Sequence, residues 1–139
     1  DNLRIRAGVG LLHTNLSRFT NPAGVAFQGN EFGKAPGYTL NFGVDWDVTE
    51  DVTLSAEVRH TDGYYSTDEN YPAYRVDSYT VANARATYTP KENWQLYAYV
   101  DNIFDERAPT WKYDDRTAGG IVASMLEPRE YGVGLKVKF

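Results

Sequence analysis

His13 and His60 are the only imidazoles in the 139 residues, and there is no cysteine. Nucleophilic catalysis needs a base within reach of a serine or cysteine, and metal-assisted hydrolysis needs ligands at a spacing such as HExxH. Neither histidine has such neighbours along the chain, so no enzyme activity is expected and no metal or cofactor is assigned. The chemistry that does concentrate is aromatic and acidic. The stretch TDGYYSTDENYPAY, residues 61–74, gathers Asp62, Asp68 and Glu69 with Tyr64, Tyr65, Tyr71 and Tyr74. Carboxylates at that spacing suit calcium but depart from the EF-hand loop, and a solvated acidic loop is the better reading. Tyrosines in an exposed loop offer rigid, amphipathic contact area. These four, with Trp111 and Tyr113 of TWKYDD, are candidates to touch an incoming ligand, the alternative being loop packing or an aromatic girdle.

Segments of period two must position them. LRIRAGVGL from Leu3 sets Leu3, Ile5, Ala7, Val9 and Leu11 against Arg4, Arg6, Gly8 and Gly10. The same alternation runs through YTLNFGVDWDV (38–48), VTLSAEVRH (52–60), TVANARATY (80–88, the weakest), WQLYAYVDN (94–102) and the closing YGVGLKVKF (131–139). Successive strand residues point to opposite faces, so each segment predicts a β-strand with one apolar and one polar face. No helical stripe persists for three turns, and the chain reads as all-β.

The connections alternate as strictly as the residues. Thr49–Asp51 and Thr89–Asn93 make short turns, while about 25, 18 and 28 residues join the other pairs, longer than compact domains usually leave without structure. In an antiparallel meander every long loop then lies at one end of the sheet and every tight turn at the other, the asymmetry of outer-membrane barrels. Composition is compatible with that reading. A net charge of −5 without a basic run excludes nucleic acid as a partner. Mean hydropathy below zero and the lack of a long apolar run exclude a transmembrane helix, but not strands that are apolar at every second position. Eleven tyrosines and three tryptophans are more than a soluble core of this size needs.

All strand charges, from Arg4, Arg6, Asp45 and Asp47 to Lys136 and Lys138, fall on the polar face. Arg4 and Arg6 begin one strand where Asp45 and Asp47 end the next, which predicts cross-strand ion pairs lining a lumen. Trp46, Trp94 and Tyr88 fall beside the short turns, and Tyr38 and Tyr131 at the long-loop ends, as two girdles would require. A soluble β-sandwich binding module or a smaller outer-membrane barrel has the same alternation, so faces alone leave these alternatives open. Six strands are too few to close a barrel, and a remainder is expected.

YVDNIFDER (99–107), a long loop and then PREYGVGLKVKF (128–139) strongly resemble the C-terminal end of TonB-dependent outer-membrane receptors, as KAPGYTLNFGVDWDV (34–48) resembles an earlier strand. The resemblance implies an antiparallel up-and-down transmembrane β-barrel of about 22 strands, with residues 1–139 as its last six-stranded segment. It implies a plug domain, a TonB-contacting box and earlier strands in front, none within these residues, so that this chain alone is expected to transport nothing. It further implies import of a scarce solute, most often a ferric siderophore, with TonB, the plug, the rest of the barrel, outer-membrane lipid and the assembly machinery as partners. Phe139 resembles the terminal aromatic by which that machinery recognises its clients, the plainer alternative being an interfacial anchor. Asn102 and Asp105 match the family's motif, with hydrogen bonding at a strand end as the expected role.

Overall fold

The computed structural model describes residues 2–115 and 117–138, so Phe139 lies outside the described residues. The strands are β1 (Leu3–Leu11), β2 (Tyr38–Asp47), β3 (Val52–Thr61), β4 (Tyr64–Tyr65), β5 (Arg75–Val76), β6 (Tyr79–Lys91), β7 (Trp94–Asp101), β8 (Pro109–Asp115), β9 (Gly120–Met125) and β10 (Glu130–Val137). Six of them form one sheet in the order β1-β2-β3-β6-β7-β10, and β4-β5 and β8-β9 are separate two-stranded ribbons. Every pair in the large sheet is antiparallel, so the chain meanders, each wall strand lying beside the next in sequence. The six alternating segments are these six strands.

Alternation dictates the result because one face of the sheet has nothing packed on it. Leu11 is 80% exposed, Val133 80% and Leu135 63%, and Ile5, Val9, Phe42 and Leu96 are exposed with them. Of the buried apolar residues, Phe27, Tyr64, Val76 and Ala108 belong to the long connections, and Ala82 is a small side chain within β6, so they form no core under the sheet. A β-sandwich would cover these rows with a second sheet. No second layer faces them among the described residues, which overturns the sandwich alternative.

The second short turn is tighter than its sequence suggests. Pairing continues to Lys91 opposite Trp94, leaving Glu92 and Asn93 as the turn, and the register slips between Tyr88 and Lys91. Pro90 sits in that slip. Proline has no N–H to give a ladder and is confined to edges or bulges, so the extra residue is accommodated there. The adjacent Thr89 N–H turns to the Asp51 carbonyl at 2.7 Å, fastening the two short turns together.

The glycines of the closing strand are explained by space. Gly132 faces Tyr99 and Gly134 faces Tyr97 across the β7-β10 pair. A Cβ on Gly132 would stand 2.8 Å from Tyr99 Cε1, and at Gly134 the Tyr97 ring occupies the position itself. Each tyrosine lies flat over a bare stretch of its neighbour, an arrangement that fills the gap a glycine leaves in a strand.

At the far end of β7 the chain is stapled by Asn102. Asn102 is 4% exposed. Its side-chain amide donates to the Glu106 carbonyl at 3.0 Å and the Glu127 carbonyl at 2.9 Å, and its Oδ1 accepts the Glu106 N–H at 2.9 Å. Asn102 and Asp105 both adopt left-handed backbone, φ 52° and 53°, which Asn and Asp tolerate better than other side chains. Asp105 Oδ1 accepts the Arg129 N–H at 3.0 Å, closing the loop mouth from the other side. That bond, then the Arg107 guanidinium, hold the Asp105 carboxyl below the usual carboxylate range. A depressed acid pKa stabilises above the unfolded value, so the clasp is complete at neutral pH and is lost as pH falls below about 4.

Two outcomes follow for the full-length protein. Gly134→Val should displace Tyr97 and cost about 1–3 kcal/mol, read as a lower urea midpoint, and Tyr97→Ala in the same chain should restore part of the loss. Asn102→Gly keeps the backbone conformation and removes only the side-chain bonds, so it should cost about 1–3 kcal/mol, with Asn102→Ala costing more because φ is positive. Equal midpoints for the Gly and Ala variants would show that the turn geometry contributes nothing.

Candidate functional site

The three long connections, residues 12–37, 62–78 and 102–129, all leave the same end of the sheet. They carry structure of their own where the sequence reads as plain loop. The first is pinched by a Thr20–Ala26 bridge. The second holds β4, a 3-10 turn over Pro72–Tyr74 and β5. The third rises as the β8-β9 hairpin, whose strands alternate too briefly to stand out from a loop.

The middle connection is the hub. Lys34 N–H donates to the Tyr65 carbonyl at 2.7 Å, and Gly33 N–H to Asp68 Oδ1 at 2.7 Å. Asn70 exchanges bonds with Glu31, accepting its N–H at 2.7 Å and donating to its carbonyl at 2.8 Å. A Cβ on Gly33 would lie 2.9 Å from Thr67 Cα, so these two backbones approach as closely as glycine allows. On the other side Ser66 Oγ accepts the Lys112 N–H at 2.9 Å, and Lys112 Nζ donates to the Arg75 carbonyl at 2.6 Å.

Within this cluster the six aromatic candidates divide into separate groups. Tyr64 is buried, its hydroxyl donating to the Thr110 carbonyl at 2.7 Å, so it acts as a post beneath the third connection. Tyr65 lies under the Arg75 guanidinium, 5.4 Å from its ring centre. Tyr71 and Tyr74 pack edge to face at 5.9 Å, and Tyr71 also meets Phe27 at 6.1 Å. Trp111 stacks on Tyr113 at 4.5 Å with Lys34 Nζ over its outer face at 4.3 Å. The contribution of Lys34 has no signal in KAPGY, because it depends on a hairpin far along the chain. Among the described residues the carboxylates and histidines form no cluster of metal-binding size. His60 is held between Tyr38 and Thr80, its Nδ1 2.8 Å from the Thr80 hydroxyl, and shares the apolar face of β3 with Val58.

Below the rim, the polar face is bridged from strand to strand. Arg4 donates to Asp47 at 2.6 and 3.1 Å, and Arg6 pairs with Asp45. Both pairs are diagonal, since the residues directly opposite Arg4 and Arg6 are Asp45 and Gly43, and the long guanidinium arms reach two positions further. Asn83 donates to Glu57 at 2.9 Å, Arg85 lies 3.8 Å over the Tyr97 ring, and the Tyr99 hydroxyl donates to Glu130 at 3.1 Å.

Burial, with the neighbouring Tyr79 hydroxyl, pushes the Tyr64 phenol up to about 12. An acid raised in the folded state stabilises it fully below the unfolded value near 10, and this is lost as pH climbs from about 10 to about 12. Phenolate absorbance of the full-length protein should therefore contain one tyrosine ionising near the upper value, absent in Tyr64→Phe. A native titration identical to that of the variant would contradict the placement of Tyr64.

Residues 2–103 match the family described as "TonB dependent receptor-like, beta-barrel". The chain is 33% identical over 87 residues to the ferric enterobactin receptor of Pseudomonas aeruginosa, an alignment covering 57% of this chain and 12% of that protein. Among solved structures, the siderophore receptor PiuA from Acinetobacter baumannii superposes with a TM-score of 0.82 at 22% identity, over all of this chain and 20% of the receptor. The ferric-catecholate import receptor Fiu of Escherichia coli K12, in its closed form, gives 0.74 at 16% identity over 99% of this chain and 19% of its own. The chain thus spans about an eighth of the curated relative and a fifth of these structures, whose likeness shows the fold. The meander, the bare apolar face and the residues matched agree: the chain is a segment of an antiparallel outer-membrane barrel and belongs to the TonB-dependent receptor β-barrel family, a family of receptors and not of enzymes.

Proposed function

We propose that this chain is the C-terminal part of the wall of an outer-membrane receptor that imports a ferric siderophore with energy passed through TonB. The observation that carries the reading is the 33% identity to a ferric enterobactin receptor, within a chain whose family match runs over residues 2–103. Physical chemistry supports the placement. Backbone N–H and C=O groups cannot be left unpaired in hydrocarbon, and the outer edges of β1 and β10 have no neighbour in this sheet. They require the remaining strands of a closed barrel as partners. The bare rows of Leu, Val and Phe then face lipid, and the ionic face, with the Arg4–Asp47 and Arg6–Asp45 pairs, lines the lumen against a plug domain. Trp46 and Trp94 by the short turns mark the periplasmic interface, and Tyr38 and Tyr131 the outer one.

The interlocked connections form the outer rim, where Tyr65, Tyr71, Tyr74, Trp111 and Tyr113 contact the ligand with Tyr64 holding them from below. Solute specificity is shared with the rim and plug of the rest of the protein.

Deleting the receptor's gene should abolish TonB-dependent uptake of at least one ferric siderophore from a panel that includes ferric enterobactin, and the restored gene should return it. Unchanged uptake across the panel would refute import. The face assignment has its own test in whole cells: Val133→Cys should resist a membrane-impermeant maleimide while reacting with a lipid-soluble one, and the reverse pattern would invert the two faces.

A further inference from the structure

The β8-β9 ribbon has two edges, and the structure treats them unequally. Along β8 the Lys112 N–H donates to Ser66 Oγ at 2.9 Å, and the Thr110 carbonyl accepts the Tyr64 hydroxyl at 2.7 Å. Both groups therefore point away from β9, and the middle connection satisfies them. In an antiparallel pair, a residue that turns its backbone groups outward stands opposite one that does the same. Lys112 faces Ala123, and Asp114 faces Ile121. The outward N–H and C=O groups of β9 are accordingly those of Ile121 and Ala123. Among the described residues β9 has no strand beyond it, and no backbone hydrogen bond from another segment reaches these two.

Proteins blunt an exposed edge with charged side chains or with proline. β9 reads GIVASM and has neither, whereas β8 carries Lys112, Asp114 and Asp115. Ile121 and Met125, 53% and 51% exposed, stand with Ala123 on one face of β9. An uncharged edge with apolar side chains is a template for a further strand. The position of β9 says whose. Because β8 turns to the middle connection, which springs from β3 and β6, β9 lies on the side of β10, and residues 126–129 join the two. The sheet ends at β10, and a closed wall must continue from its outer edge. The outer connection of the wall hairpin that adjoins β10 then rises beside β9. We propose that β9 is a strand-addition site, and that an extended, uncharged segment of that connection, apolar at every second position, pairs with it through Ile121 and Ala123. The pairing that closes the wall thus continues into the rim and holds the third connection from its far side. This rests on the reading of the chain as part of a closed wall.

The test is amide hydrogen exchange in the purified full-length receptor, resolved residue by residue. Val122 and Ser124 bond inward to β8 and exchange slowly whether or not the edge is covered. Ile121 and Ala123 decide the matter, and with a strand beside them both should exchange at least about 100-fold more slowly than an open amide. Open-amide rates at these two, with β10 protected along its whole length, would overturn the added strand and leave the closed wall standing. Open rates at every second amide of β10 as well would overturn the wall and the proposal together. A benzophenone amino acid in place of Ile121, photolysed in living cells, then identifies the occupant. The expected product is a crosslink within one chain, mapped by mass to the outer connection next to the wall strand paired with β10. A crosslink to a second copy of the receptor or to a different protein, or no crosslink at all, would overturn the assignment of that segment.

Discussion

A strand that separates hydrocarbon from water has no freedom in its side-chain order, because its backbone must be fully paired while its two faces meet solvents of opposite kind. The rest of this sheet follows from that constraint. Pairing fixes the register, and a slip of one residue would carry Arg4, Asp45, Glu57 and Lys136 onto the apolar face and Leu3, Val44, Ala56 and Leu135 onto the polar one. Such a slip costs so much that the alternation itself specifies the pairing. The wall needs no buried core to be unique, and its large apolar residues stay exposed in every strand.

With no core beneath it, the polar face supplies its own cohesion, and it does so sideways. The diagonal Arg–Asp pairs join β1 to β2, the Asn83–Glu57 bond joins β6 to β3, and Arg85 on Tyr97 joins β6 to β7. Tyr97 and Tyr99 lie over Gly134 and Gly132 and so carry the connection to β10. Each contact crosses one strand boundary. Individually such exposed contacts contribute little, about 0–1 kcal/mol for an ion pair, but each also resists sliding of one strand along the next, which is the motion the wall can least afford.

How far the chain can be read in advance depends on which solvent rule applies to a residue. Leu135 and Lys136 are assignable from their positions alone, because period two and two solvents leave one solution, and all six wall strands are recovered to within a few residues. The end of β6 is not, since a polar TPKEN run reads as turn, and only the missing N–H of Pro90 explains why the strand bulges and continues. The rim is harder still. Trp111 and Tyr113 alternate with Lys112 and Asp114, but for so short a span that hairpin and loop are indistinguishable in sequence. That the Tyr64 hydroxyl meets the Thr110 carbonyl, and that Lys34 lies over Trp111, depends on residues of three connections converging. Contacts between distant loops obey no period, so no pattern announces them.

Wall and rim also treat charge differently. On the wall Arg4 and Arg6 are matched by Asp47 and Asp45 within hydrogen-bond reach. A few residues higher Lys34 lies over the Trp111 ring, and among the described residues neither it nor Arg59 has a carboxylate partner. Acids are not scarce there, for Asp62, Asp68 and Glu69 all lie in the middle connection, yet Asp62 and Asp68 are turned to the backbone N–H groups of Gly63 and Gly33. Those two carboxylates fix loop backbone, so the rim is held by side-chain-to-backbone bonds where the wall is held by ion pairs, and it keeps a defined shape without a strand ladder to impose one.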